Sequence, residues 1–185
     1  VEQVKKMLGS NAVPLQLPIG AEETFKGVVD LINFRGLVWN EHDRGMTYEI
    51  VDIPADMVEE ATMWREKLLE AVSEYDDNLM EKFFEDPNSI TVPEINAAVR
   101  AAVMDLAFTP VMCGSAFKNK GVQAVLDAVC AFLPCPLDVE GITGVNPKTE
   151  KEEVRKPSVS EPFAALAFKI ATDPYVGRLA FMRVY

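Results

Sequence analysis

Three of the smallest residues, Gly114, Ser115 and Ala116, stand between a short apolar run and a strongly periodic helical segment. Small residues let a backbone approach a flat ligand closely, so that peptide N–H groups make the contact instead of side chains. In α/β proteins, ligands bind where a strand ends and a loop leads into a helix. The segment therefore suits recognition of the edge of a base, although a tight strand-to-helix turn needs the same small residues. From these residues alone the two interpretations are equally supported.

The residue types used in catalysis and metal binding are sparse. His42 is the single histidine and lies in a charged loop, so we expect it at the surface. Cys113, Cys130 and Cys135 are an odd number of thiols without CxxC spacing, and we expect them to be buried and reduced. The sequence contains no HExxH, GxGxxG or GxxxxGKS/T motif. We predict no catalytic residue and no metal ligand in the chain.

Composition and charge are those of a soluble globular protein. The chain has 185 residues, of which 49% are hydrophobic and 25% charged, and no apolar run is long enough for a membrane span. With the reduced thiols, this predicts the cytoplasm and no membrane partner. The net charge is −11, and residues 55–106 hold thirteen acidic and four basic side chains. Such a surface repels phosphate backbones, so we predict no direct nucleic-acid binding there. A basic protein partner and a merely solvated face both remain open.

The first part of the chain reads as a short helix followed by a meander of strands. Residues 1–8 have helical character, and we expect the chain to be a piece of a longer protein because it starts inside this helix. Residues 12–19 carry two prolines, which favour an edge strand. Residues 25–32 form a second strand candidate, and residues 33–36 suit a type I turn before the meander continues.

Helices dominate the next part. An apolar stripe recurs every three or four residues over residues 56–75, and a shorter helix follows with Phe84 on its predicted buried side. Thr91 and Glu94 have the spacing of a capping box, in which each side chain satisfies the other residue's backbone donor. The helix that starts there has Leu106 as the last residue of its predicted buried face.

The C-terminal part combines a helix with two strands. Residues 109–113 form a short strand candidate, and residues 135–160, with their prolines and charges, read as a linker. Residues 163–171 and 178–185 look like two strands around a turn at residues 173–177. The helix before the linker has an apolar set at i, i+3, i+4 and i+7 spacing: Val122, Val125, Leu126, Val129, Cys130 and Leu133.

Three stretches resemble one family. GSAFKNKGVQAVLDAV (114–129) resembles the fifth guanine-nucleotide motif of translational GTPases, usually read as Ser-Ala-Lys or Ser-Ala-Leu. Together with LPIGAEETFKGVVDLI (17–32) and PFAALAFKIATDPYVGRLAFMRVY (162–185), it resembles the bacterial elongation factor G family. The resemblance is colinear and covers essentially the whole chain.

The resemblance implies a fold and a division into domains. The expected fold class is α+β and α/β: the last strand and helix of a P-loop GTPase domain, an inserted small antiparallel sheet with helices, and the first hairpin of a β-barrel domain. Residues 1–9 would end a GTPase-domain helix, residues 10–106 would form the insertion, and residues 107–135 would return to the GTPase domain. A linker over residues 136–160 would lead into the truncated barrel of residues 161–185.

The resemblance also implies a nucleotide contact. The Ala116 N–H would donate to guanine O6, Ser115 and Gly114 would shape the loop, and Phe117, which replaces the usual Lys or Leu, would cover part of the base. The longer protein would bind GTP or GDP with Mg²⁺ and drive translocation of tRNA and mRNA on the ribosome. Its P-loop, switches and Asn-Lys-x-Asp motif would lie before Val1, so no nucleotide is expected on this piece alone.

Two partner surfaces are expected. In the family, the insertion contacts the lysine-bearing C-terminal domain of the ribosomal stalk protein, and Glu59, Glu66 and Glu70 would form that face. The C-terminal hairpin has apolar side chains and unpaired edges, so it could pair with a second copy. Two other identities stay open: a related ribosome-bound GTPase, such as a ribosomal protection protein or a release-factor GTPase, and an adapter domain without a nucleotide.

Overall fold

The computed structural model describes residues 1–138, 140–146 and 148–185. The chain divides into two compact units, Val1–Leu133 and Pro134–Tyr185. The helices of the first unit are α1 (Glu2–Leu8), α2 (Val58–Ser73), α3 (Asp77–Glu85), α4 (Val92–Met104) and α5 (Val122–Phe132). Its strands are β1 (Ala12–Pro14), β2 (Gln16–Ile19), β3 (Gly27–Asp30), β4 (Arg35–Trp39), β5 (Tyr48–Val51) and β6 (Thr109–Val111).

Strands β2 to β5 form an antiparallel meander in sequence order, and β1 pairs in parallel with β6. The single strand predicted over residues 12–19 is split at Leu15: β1 pairs with β6, and only the second part, β2 with Pro18, lies at an edge of the meander. The turn predicted at residues 33–36 is wrong. The Asp30 carboxylate accepts the N–H groups of Ile32 and Asn33, so the chain turns earlier, and Arg35 already pairs with Asp30 in the sheet.

Helices α2, α3 and α4 build the main core with one face of the sheet. Leu68, Val72, Ile95 and Val99 are almost completely buried there. The capping box of Thr91 is present at the start of α4, as predicted.

Two residues predicted on buried faces are exposed. Phe84 packs edge-on against Phe83 but stays in contact with solvent. Leu106 lies beyond the end of α4 in a left-handed conformation, with φ 56°. Phe84 lies beside Phe83, which packs on the core, and Leu106 follows the end of α4, so the apolar residue type alone does not give these two side chains a neighbour.

The thiols and the apolar face of α5 also differ from expectation. Cys113 is half-buried, whereas Cys130 and Cys135 are exposed, so the prediction of buried thiols is wrong for two of the three. On α5, Phe132 is buried, but four residues of the predicted stripe are at least 40% exposed: Val125, Leu126, Val129 and Leu133. Periodicity predicts the helix and its apolar face, but it does not say which element covers that face.

The second unit consists of two hairpins. Strands β7 (Ile142–Val145) and β8 (Glu152–Arg155) pair within the predicted linker, which is therefore not a plain connector. Val139 and Pro147 of that linker lie outside the described residues. Strands β9 (Ala165–Asp173) and β10 (Gly177–Val184) form the predicted C-terminal hairpin. The Asp173 carboxylate accepts two N–H groups of its turn, and Gly177 closes it with φ 81°.

The fold class is the predicted one, a mixed α and β architecture with small sheets. Among the described residues, no helix combines the length and apolar character needed to cross a bilayer.

Candidate functional site

The small residues lie in a compact loop, residues 114–121, between β6 and α5. Ser115 and Lys120 pair across it: the Ser115 N–H donates to the Lys120 carbonyl at 2.8 Å, and the Lys120 N–H donates back at 3.0 Å. Inside this pair, the Asn119 N–H donates to the Ala116 carbonyl at 3.1 Å. The loop is therefore a closed turn that is held by its own backbone.

The close packing of the loop backbone requires a glycine at position 114. A Cβ atom there would lie 2.7 Å from the Lys120 carbonyl oxygen, closer than side chains tolerate. The opposite residue, Gly121, has φ 89°, and a Cβ atom there would lie 2.9 Å from the Cys113 carbonyl oxygen and 3.0 Å from the Gly114 Cα atom. At this position the tight-turn interpretation accounts for the glycine.

Ala116 and Phe117 have a different environment. Both are exposed, and the Phe117 side chain is completely accessible to solvent. Within the described residues, the Ala116 N–H has no hydrogen-bond acceptor, so it is free to donate to a ligand. A shallow cavity of about 290 Å³ adjoins the loop, lined by Gly114, Ser115 and Ala116 among others. The outer side of the loop thus offers a backbone donor beside apolar surface.

The inner side of the loop binds the β-meander. Lys118 donates to the carbonyls of Glu22 and Glu23, at 3.3 and 3.1 Å. Asn119 donates its side-chain amide to the carbonyls of Arg44 and Gly45, both at 3.3 Å. These side chains are therefore engaged with residues 22–45 and turned away from the exposed Ala116.

Two further residues complete this contact. The Lys120 side chain is buried and donates to the Phe25 carbonyl at 3.2 Å and to the Glu41 carboxylate at 2.8 Å. This hydrogen bond from Lys120 and the lysine charge lower the pKa of Glu41. Gln123 donates to the Gly45 carbonyl at 2.9 Å and accepts the Trp39 indole N–H at 3.0 Å.

Sequence reasoning missed this inner side. Lys118, Asn119, Lys120 and Gln123 were visible as polar residues next to the small ones, but their acceptors are backbone carbonyls about 75 to 96 positions away. No residue type marks a carbonyl as an acceptor, so only the folded chain identifies these partners.

The acidic residues predicted as a docking face lie together on α2. Glu59, Glu66 and Glu70 are all exposed, and their spacings of seven and eleven residues align them on one side of the helix. The partly exposed Met63 lies within this row. The ammonium group of Lys67, on the same helix, lies 4.5 Å from the centroid of the Trp64 ring.

Metal ligands and reactive thiols do not add to the site. In residues 1–138, 140–146 and 148–185, no three His, Cys, Asp or Glu side chains are grouped to hold a metal ion. Cys113 lies next to the loop, and burial raises the pKa of its thiol to about 11.

Comparisons with known proteins identify the segment. The chain is 60% identical to elongation factor G of Amoebophilus asiaticus over 185 residues, and 65% and 50% identical to those of Cytophaga hutchinsonii and Karelsulcia muelleri over 184 residues. Each match covers the whole chain but only 26 or 27% of the relative. No protein-family model matches the chain.

A solved structure supports the fold. A crystal structure of a Thermus thermophilus protein aligns with a TM-score of 0.72 at 24% identity, over 99% of this chain and 24% of that one. The sequence relatives and the fold agree with the resemblance found in the three quoted stretches. The chain belongs, over its whole length, to the elongation factor G family, and it spans about a quarter of the length of its relatives.

Proposed function

We propose that the chain is a segment of an elongation factor G, the GTP-hydrolysing factor that catalyses translocation of tRNA and mRNA on the ribosome, and that it acts in the cytoplasm. The observation that carries this proposal is the colinear similarity to three elongation factors G over the whole chain.

The 114–121 loop is the proposed contact for the guanine base. The Ala116 N–H donates to guanine O6, and Phe117 covers part of the base by apolar contact. The exposure of both residues and the free Ala116 N–H support this role. Gly114 and Ser115 keep the loop closed, through the close approach at Gly114 and the backbone pairing of Ser115 with Lys120.

We expect other residues of the longer protein to bind the phosphates and Mg²⁺. When bound, Mg²⁺ neutralises charge on the β- and γ-phosphates of GTP. The 185-residue sequence has no phosphate-binding loop motif, and one or two backbone hydrogen bonds of about 1 kcal/mol each do not offset the cost of association. We therefore expect the chain alone to bind neither GDP nor GTP, and calorimetry at high protein concentration measures this. A micromolar dissociation constant would refute the incomplete site.

The proposed partner of α2 is the lysine-bearing C-terminal domain of the ribosomal stalk protein. The aligned carboxylates of Glu59, Glu66 and Glu70 give α2 a negative row, and Met63 adds a small apolar contact within it. Such a surface attracts a basic partner and repels nucleic acid.

A charge-reversal experiment tests this surface. The triple variant Glu59→Lys, Glu66→Lys and Glu70→Lys is compared with a control that reverses three other exposed carboxylates: Glu49, Glu81 and Glu85. We expect the first triple variant to bind the stalk domain at least tenfold more weakly, and the control to change affinity less than threefold. The wild-type affinity should fall as salt rises, because exposed charges are screened beyond about 10 Å at 0.1 M. Equal losses in both triple variants would mean that net charge acts and not this face.

The parent activity is tested in a chimera. In this chimera, these 185 residues replace the matching segment of elongation factor G of Cytophaga hutchinsonii, with which they are 65% identical over 184 residues. We expect this chimera to hydrolyse GTP on ribosomes and to translocate. Hydrolysis without translocation would contradict the proposal.

The C-terminal hairpin is proposed to pair with a second copy when the chain is studied alone. Phe168 and Ile170 on β9 and Phe181 on β10 are exposed, and exposed apolar strands recruit other strands. Sedimentation should show a concentration-dependent dimer that is lost when residues 161–185 are removed. A monomer at all concentrations would contradict the pairing.

A further inference from the structure

The inner side of the 114–121 loop is attached to the β-meander by hydrogen bonds from side-chain N–H groups. Four side chains, which we call the clamp, supply them: Lys118, Asn119, Lys120 and Gln123. Each donates to one or more backbone carbonyls between residues 22 and 46. These carbonyls lie in two connections between strands of the meander, residues 22–25 and residues 44–46, so the clamp ties the loop to the position of those connections.

Lys120 joins both halves of this arrangement. Its backbone closes the loop by pairing with Ser115, and its side chain, at 4% exposure, reaches Phe25 and Glu41 of the meander. A buried ammonium group is costly unless a charge and hydrogen bonds satisfy it. The Glu41 carboxylate and the Phe25 carbonyl together compensate the burial of the Lys120 ammonium group.

The backbones are in contact as well. Gly45 has φ 74°, and a Cβ atom there would lie 2.5 Å from the Asn119 carbonyl oxygen. The turn that carries Glu41 and Gly45 thus touches the chain three residues from Ala116. A displacement of this turn moves the loop directly.

We propose that Lys120 is a positioning residue for the nucleotide, which acts by holding the 114–121 loop against Glu41 and Phe25 so that the Ala116 N–H stays aimed at the base. A change in the position of the turn at residues 40–45 then changes the affinity for the nucleotide. This inference rests on the proposed function of the loop, and it adds which residues outside the base contact set the affinity.

Three variants test the proposal. Lys120→Met keeps the length but removes the charge, Lys120→Arg keeps the charge and donors, and Glu41→Gln keeps an acceptor on a largely exposed side chain. Lys151→Met, at an exposed lysine of the second unit, is the matched control. Amide hydrogen exchange in the 185-residue chain reports the loop without nucleotide. GDP affinity and the KM and kcat for ribosome-stimulated GTP hydrolysis are measured in the Cytophaga chimera.

The expected pattern separates positioning from general damage. Lys120→Met should accelerate exchange at residues 115–120 and raise the Kd of GDP and the KM of GTP at least tenfold, with kcat within twofold of wild type. Lys120→Arg should restore most of the affinity, Glu41→Gln should weaken it severalfold, and Lys151→Met should change nothing. If Lys120→Met does not fold, the GDP affinities of the other two variants decide. A severalfold loss in Glu41→Gln, with most of the affinity kept in Lys120→Arg, supports the proposal.

Two outcomes overturn the proposal. Faster exchange of the loop with unchanged GDP affinity would show that the loop position does not matter for binding. A loss in kcat with unchanged KM would also contradict a positioning role. The base contact itself is tested separately by removing the Ala116 N–H. If that change leaves the GDP affinity intact, the proposed function fails. If only the Lys120 and Glu41 variants leave the GDP affinity unchanged, this inference alone fails.

Discussion

Replacement of Gly114 by alanine should weaken the backbone pairing that closes the 114–121 loop. The added Cβ atom would lie 2.7 Å from the Lys120 carbonyl oxygen, whereas ordinary contacts begin at 3.4 Å. The neighbour is a backbone atom that is already paired with Ser115, so a shift of about 0.7 Å has to disturb the hydrogen bonds between Ser115 and Lys120. Overpacking of this kind costs about 1–3 kcal/mol.

The measurement is urea unfolding followed by tryptophan fluorescence, because both tryptophans, Trp39 and Trp64, lie in the first unit. With a slope of roughly 2 kcal/mol per molar urea, a loss of about 2 kcal/mol lowers the midpoint by about 1 M. Ala116→Ser adds an atom on the exposed side of the same loop, and it should change the free energy of unfolding by less than about 0.5 kcal/mol. An unchanged midpoint for Gly114→Ala would refute the close approach of Gly114 to Lys120.

Two other predictions concern titratable groups. At mildly alkaline pH, iodoacetamide should alkylate Cys130 and Cys135 quickly and Cys113 slowly, since burial raises the pKa of the Cys113 thiol to about 11. Mass spectrometry of the peptides measures the three alkylation rates, and equal rates would contradict this prediction. Hydrogen bonds from Lys82 and then Thr91 lower the pKa of Glu94 from 4.5 to about 2, so the stabilisation is complete above pH 4.5 and disappears as the pH falls towards 2. The difference in free energy of unfolding between wild type and Glu94→Gln should therefore shrink over that range, and a difference independent of pH would exclude this cause.

Local patterns predicted the elements that depend on neighbouring residues. The capping box of Thr91 and Glu94 satisfies backbone donors within one turn, so its sequence spacing is sufficient to place the start of α4. The turn of the C-terminal hairpin is equally local, because Asp173 and Gly177 supply its side-chain acceptor and its left-handed residue. The meander turn was misplaced because Asp30, before the predicted turn, captures the N–H groups that follow it.

Features that depend on distant partners could not be predicted. The small residues indicated a loop where a backbone approaches something closely, but Gly114 approaches Lys120 of the same loop. The acceptors of the clamp are main-chain carbonyls, which every residue has, so the sequence does not distinguish them. The β7–β8 hairpin was missed because polar, charged strands such as Glu152–Arg155 lack the alternating apolar pattern that marks a half-buried strand.

The central claim, that the Ala116 N–H reads guanine O6, is tested by removing that N–H. Ala116→Pro lacks the donor, and Ser115 before it lies in an antiparallel β-bridge with Lys120, a pairing typical of the extended backbone that precedes proline. Ala116→Gly keeps the donor and serves as the control. Both are made in the Cytophaga chimera and measured with GDP and with 2-aminopurine riboside diphosphate, which has no O6.

The loss of one hydrogen bond should weaken GDP binding by Ala116→Pro roughly three- to tenfold, and it should leave the affinity for the 2-aminopurine nucleotide within about twofold of wild type. Ala116→Gly should bind both nucleotides like the unmodified chimera. An equal loss for both nucleotides in Ala116→Pro, or no loss for GDP, would contradict a hydrogen bond from Ala116 to the base.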